Sequence, residues 1–284
     1  MQRFLAGVRW EHARNLNTGL SLAMFGAAIC ALWWKAFSLP VAALSIIAVF
    51  LFLRETYVNR KERYANVMPL LEHVARTVSD AIHCLGKSKA VQSPAKIEEA
   101  LSLIAQIYSM LTGTRCRAAI KLLARRGAHE FVVFTYARDK ASAGAFRLSD
   151  ESRQREGYDT LDRNPHIKEV TAAAKDGEDY LIFNNLPRSI ANGEYQSSSI
   201  RYWAENPHMR KQWRGGKDSL PYRSTVMSVI WAEDETALGF LAVDSPHAGV
   251  FHDSWDGPLL VSFAWLLARF LGTLHFETQQ GDGI

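Results

Sequence analysis

The distribution of charge near the N-terminus constrains this chain most. Residues 15–34 contain no charged side chain, and neither do residues 36–53; Lys35 alone separates them. Crossing hydrocarbon takes about 20 apolar residues at ~1.5 Å each. Both stretches are near that length, the second slightly short. A cleaved leader would carry an apolar run of only about 7–15 residues before a small-residue cleavage site. Here the first run ends in Trp33-Trp34 and passes at once into the second. The pattern predicts a hairpin of two transmembrane helices over residues 1–54, with the tryptophans at the far interface and Pro40 at the start of the second helix, where proline is tolerated.

Basic residues near the spans set the orientation. Arg3, Arg9 and Arg14 precede the first, Arg54, Arg60, Lys61 and Arg63 follow the second, and the turn carries only Lys35. Both termini are therefore expected on the cytoplasmic side of the inner membrane, with almost nothing outside. A hairpin without an outer domain is poorly placed to read an external ligand, so the signal is expected from within.

The remaining residues have the composition of a soluble domain. The net charge of +4 in 284 residues is too small to argue for a nucleic acid polymer as partner. Cys30, Cys84 and Cys116 are scattered and include no CxxC pair, which points away from a disulfide framework or a zinc site. No G-x-x-x-x-G-K-[ST], G-x-G-x-x-G, H-E-x-x-H or G-x-S-x-G motif occurs, and the nine histidines show no ligand spacing. No catalytic residue, metal or cofactor is expected, and the chain does not read as an enzyme.

Residues 55–91 read as a helical connector. Residues 55–66 leave the membrane as a polar helix, and Pro69 kinks or restarts it. Val67, Leu71, Val74, Val78, Ala81 and Leu85 are spaced 4-3-4-3-4, a short heptad seam that serves either a parallel dimer or packing on the chain's own domain. Ser93-Pro94 starts another helix, which Thr112-Gly113 ends. The pattern then becomes extended. Strands are predicted at 116–123, 130–137, 179–184, 224–231 and 238–244, with a short helix over 164–174 and a closing apolar helix over 258–274. Asp159 and Asp162 read as capping residues. Residues 277–284 read as a polar tail with no output module.

The runs NNLPR (184–188), PYRSTVMSVIW (221–231) and LGFLAVDS (238–245), followed by Phe251 and the closing helix, resemble a GAF domain over residues 92–276. The resemblance implies an α+β fold: an antiparallel sheet with helices on one face, a ligand pocket on the other, and dimers formed through the flanking helices. The cyclic-nucleotide branch has Asn-Lys where this chain has Asp244-Ser245, and an acidic pair where it has Trp255-Asp256. That specificity is therefore not carried over. Cys116 does not match the bilin-attachment position.

The 189–220 segment is long for a connection. It carries Trp203, Trp213, Arg210, Lys211, Arg214 and Lys217 and reads as a lid over the pocket or a partner surface.

Three readings follow. In the first, a homodimer or higher homo-oligomer senses a small anionic, nucleotide-like ligand among Arg117, Asn184, Arg188, Tyr222, Ser224, Thr225 and Asp244. Arginine forks onto phosphate, and the hydroxyls bond base or sugar. Which of these face the pocket depends on strand register. The lipid hairpin is the output, a plan that resembles bacterial effectors that damage their own membrane in phage defence. In the second, the domain is a non-binding adaptor whose pocket is filled by Phe131, Phe134 and Phe240. In the third, it is a cysteine-dependent reductase of methionine sulfoxide, for which the single core cysteine, Cys116, is a poor basis.

Overall fold

The computed structural model describes residues 39–85, 93–126, 130–144, 159–168, 171, 179–205 and 222–281. The chain divides into two compact units, residues 1–68 and 69–284. In the first unit only the beginning of a helix, α1 (Leu39–Leu85), is described. The first expected span lies outside the described residues, and the second is described from Leu39 onward. Among the described residues no helix is long and apolar enough to cross a membrane. α1 runs as one helix through residues 54–55 and through Pro69, so residues 55–66 continue it as the expected polar helix.

In the second unit the end of α1 carries the expected apolar seam. Val74, Val78, Ala81 and Leu85 are buried within the single chain. Of the two uses weighed for that seam, packing on the chain's own domain is the one this burial matches. α2 (Ser93–Thr112) starts and stops where its sequence signals lie. Gly113 takes a positive φ of 71°, and its N–H bonds the Ser109 carbonyl at 3.0 Å, closing the last turn as a left-handed C-cap does.

Five strands follow: β1 (Arg117–Arg126), β2 (Glu130–Arg138), β3 (Tyr180–Phe183), β4 (Ser224–Trp231) and β5 (Ala237–Ser245). They form one antiparallel sheet in the order β2-β1-β5-β4-β3. Two short helices, α3 (Leu186–Ala191) and α4 (Ser198–Glu205), lie between β3 and β4, and α5 (Asp253–Gly281) closes the described fold. α5 is longer than the expected 258–274 and takes in residues 277–281 of the expected polar tail. Of the helix expected over 164–174, residues 165–168 and 171 are helical.

Because side chains alternate across a strand, the sheet has two distinct faces. α2 and α5 cover one of them, where Ile120, Val226, Ile230, Leu241 and Val243 are buried with Ile104, Phe263, Leu267 and Phe270. The Tyr108 hydroxyl donates to the Asp256 carbonyl at 2.6 Å and ties these two helices together. The other face packs Met227, Val229, Phe240, Ala242 and Val133 against Ile167, Leu186, Tyr195 and Tyr222. Helices on one face and a second, separately covered face is the arrangement the resemblance implies.

Candidate functional site

The motif around Asn184 builds a corner. The Asn184 amide donates to the Phe251 carbonyl at 2.7 Å and accepts the Phe251 N–H at 3.0 Å. This double clip ties the end of β3 to the approach to α5. Asn185 caps α3, accepting the Arg188 N–H at 3.2 Å, with proline in the first turn. Asparagine in such a position satisfies an N–H that the helix leaves unpaired. α3 then leads into Tyr195, which is buried under the second face of the sheet. Its ring stands edge-on to Phe183, with 4.9 Å between centroids, and tilted against His166 at 4.6 Å.

The strand register decides which expected site residues meet. Arg117 on β1 stands opposite Asp244 on β5, and Asp244 stands opposite Thr225 on β4. These three form one row across the sheet, on the face that carries Tyr195 and Tyr222. Thr225 hydrogen-bonds the Asp244 carboxylate, and Tyr222 bonds Tyr195. The structure therefore brings together Arg117, Thr225, Asp244 and Tyr222. Ser224 points to the helix-covered face and donates to the His247 carbonyl at 2.7 Å. Asn184 is committed to Phe251, and Arg188 lies exposed on α3.

Four further residues belong to this face. Lys121 follows Arg117 at the even spacing that keeps it on the same side, and Thr135 on β2 stands directly opposite it. A register shift between Ile120 and Lys121 places Arg138 opposite Ala119, adding a second arginine. His166 is almost fully buried at 1% exposure.

The electrostatics are those of several cations gathered around one carboxylate. Burial raises the Asp244 pKa, while Thr225, Lys121, Arg138 and Arg117 all oppose that rise. Burial lowers the Arg117 pKa, and Asp244 and Asp139 act against it. Asp139 itself accepts from the Ala118 and Ser142 N–H groups and the Ser142 hydroxyl. Burial, with Lys121 adding to it, drives the His166 pKa down to about 3, so the imidazole is neutral. Its Nδ1 bonds the Gln196 carbonyl, so Nδ1 carries the proton and Nε2 presents a lone pair. That Nε2 and the Thr135 hydroxyl oxygen are both buried with no hydrogen-bond partner.

No protein-family model and no curated protein matches the chain. Among solved structures it is similar to the GAF domain of an Acinetobacter phosphoenolpyruvate-protein phosphotransferase, at 11% identity and a TM-score of 0.38, over 70% of this chain and 93% of that one. It is similar to the corresponding domain from Coxiella burnetii at 12% identity and a TM-score of 0.38, over 76% of this chain and 99% of the other. A phycoerythrobilin-bound GAF domain of a cyanobacterial phytochrome matches at 12% identity and a TM-score of 0.36, over 73% and 97%. The described sheet is five-stranded and antiparallel, with helices against it, as the sequence resemblance implies.

Within that sheet the fillers foreseen for the second face are only partly in place. Phe240 is buried there. Phe131 is 46% exposed, with the Arg125 guanidinium 5.8 Å over its ring. Phe134 stands opposite Leu122, on the helix side. Tyr195 and Tyr222 supply the aromatic cover instead. Cys116 is buried beside Thr112, and burial pushes its thiol up to about 12; a neutral thiol is a poor nucleophile. The expected lid segment is described as far as Glu205, and its basic run lies outside the described residues.

Proposed function

We propose that this chain is a membrane-anchored cytosolic sensor whose GAF-like domain binds a small anionic, nucleotide-like ligand on the second face of its sheet. The observation that carries this reading is the row Arg117–Asp244–Thr225 with Lys121 and Arg138 beside it. Cations grouped around a single carboxylate on a largely apolar, covered surface match the usual build of a small-ligand site, where a few charged groups orient the ligand. Arginine adds a fork suited to phosphate or carboxylate. The two uncharged N-terminal stretches and their basic flanks support the anchor, at the inner membrane with the domain in the cytoplasm. The hairpin is the output in this reading, through a change in packing of a homo-oligomer. Membrane damage in phage defence is the biological setting that this plan resembles.

One observation favours the adaptor as a second reading. Tyr195, Tyr222, Phe183 and Phe240 all pack onto the same face, and a face filled by its own aromatics has less room for a ligand.

Thermal unfolding of the full chain in detergent, against cyclic mononucleotides, cyclic oligonucleotides and pyrophosphate, separates the two. A ligand bound only by the folded state at 100 times its Kd adds about 2.7 kcal/mol, a clear rise in Tm. That rise is expected with at least one anion and is lost in Arg117→Gln and Lys121→Gln. A folded protein that responds to none of them is the adaptor.

A further inference from the structure

The neutral histidine on the ligand face points to a second feature of the ligand. His166 is 1% exposed, its Nδ1–H is spent on the Gln196 carbonyl, and its Nε2 lone pair has no partner. The Thr135 hydroxyl oxygen is likewise buried and unpartnered. The two belong to one neighbourhood. Thr135 stands opposite Lys121, and Lys121 acts electrostatically on His166. The segment that carries His166 is pinned to β2 by the Val133 N–H bonding the Asp159 carbonyl at 2.6 Å and by the bridge between Val132 and Thr160. Ile167, next to His166, packs in the same cluster as Val133.

A buried polar atom left without a partner is costly, so such atoms are rare unless a bound group satisfies them. An anion alone does not satisfy this pair. Nε2 is an acceptor, and a negative oxygen placed against it is repelled. What closes on Nε2 must donate an N–H or O–H. The Thr135 hydroxyl can donate or accept and is suited to stand beside the same group.

We propose that the ligand of this face is bifunctional: a negative group held by Lys121, Arg117 and Arg138, and on the same molecule an N–H or O–H donor received by His166 Nε2 with Thr135 beside it. The ligand class is thus an amino- or hydroxyl-bearing organic anion rather than a simple inorganic one. The inference rests on the anion-binding reading above and deepens it. His166 makes a direct ligand contact in this scheme, and its neutrality is what makes it an acceptor.

The test is calorimetric titration of the full chain in detergent at pH 8 with three probes. Adenosine 5′-monophosphate carries an amino group and ribose hydroxyls. Purine riboside 5′-monophosphate lacks the amino group, and pyrophosphate lacks both. His166→Phe is expected to weaken the adenosine nucleotide about fivefold to tenfold, the range of one net hydrogen bond, and to leave pyrophosphate unchanged. His166→Gln, which returns an acceptor oxygen, should recover most of the loss. A loss confined to the adenosine nucleotide assigns the donor to the amino group; a loss shared by both nucleotides assigns it to a ribose hydroxyl. Unchanged nucleotide affinities in His166→Phe overturn the inference and leave Nε2 to a bound water. The anion reading survives that result if Lys121→Gln still weakens all three probes. Failure of every probe to bind, or indifference to Lys121→Gln, overturns the anion reading and this inference with it.

Discussion

Burial holds the His166 imidazole neutral, with its pKa pushed down to about 3 against an ordinary 6.5. In the unfolded chain the ring takes a proton as the pH falls through 6.5, whereas the folded protein resists it. A group with a depressed folded pKa of this kind contributes its stability fully above 6.5 and loses it as the pH falls toward 3. The slope approaches 1.4 kcal/mol per pH unit inside that window. Asp244, with a raised pKa, acts in the opposite sense at the acid end, but it is common to wild type and variant and cancels from their difference. Urea unfolding of the full chain between pH 7 and 4.5 should show wild type losing about 1 kcal/mol more per pH unit than His166→Gln. Parallel curves would mean that the folded imidazole takes up its proton at an ordinary pH. The residues named from sequence at this site divide by register. Arg117, Thr225 and Asp244 meet because their positions share one side of three neighbouring strands. Lys121 was legible by the same alternation, two residues twice over from Arg117. Arg138 was not, because a slip in pairing between Ile120 and Lys121 decides its side and nothing in the local sequence marks it. His166 sits in a stretch whose helical pattern gives no sign that its ring turns inward.

Among the elements, β4 and β5 were readable almost to the residue because both are buried and bounded by turn signals. β3 was read to within one residue at each end as well. The ends of α5 were not, and its start is marked by a local clip, the Asp256 carboxylate accepting the His252 N–H at 2.6 Å. The glycine in LGFLAVDS has a packing reason. A Cβ on Gly239 would run into the Lys121 carbonyl oxygen and lie 3.0 Å from the Leu122 Cα. Both are backbone atoms that cannot turn aside, so the β1–β5 pair closes only around glycine. Gly239→Ala is expected to lower stability by about 2 kcal/mol or more and to weaken any anion held by Arg117 and Lys121 on β1. Gly272 is the internal control: it lies in α5 with nothing within 4 Å of an added Cβ. Gly272→Ala should stabilise the chain by about 1 kcal/mol, the helix preference for alanine. Thermal midpoints measured side by side check both. A neutral Gly239→Ala would show that the sheet relaxes where its backbone leaves no space.

At the scale of the whole molecule the question is whether the two uncharged stretches cross a membrane and, if they do, in which direction. The charge pattern argues one orientation. Three arginines precede the first uncharged stretch, four basic residues follow the second within ten positions, and one lysine stands between. Basic residues close to a span stay on the cytoplasmic side, so the turn at Lys35 is the part expected outside. Cysteine chemistry offers a direct readout. Cys116 is buried and held neutral, so replacing Cys30 and Cys84 by serine leaves a chain whose native thiol resists labelling. Into that background a single cysteine is placed either at Lys35 or at Glu233, in the exposed turn between β4 and β5. In intact bacterial cells made permeable only at the outer membrane, a membrane-impermeant maleimide should label Lys35→Cys at once. It should reach Glu233→Cys only after lysis. The reverse pattern would turn the chain over, place the GAF-like domain outside and end the cytosolic-sensor reading. Labelling of both sites before lysis would mean that the two stretches do not span. Only the first pattern leaves the hairpin able to carry a change at the sheet face into the bilayer.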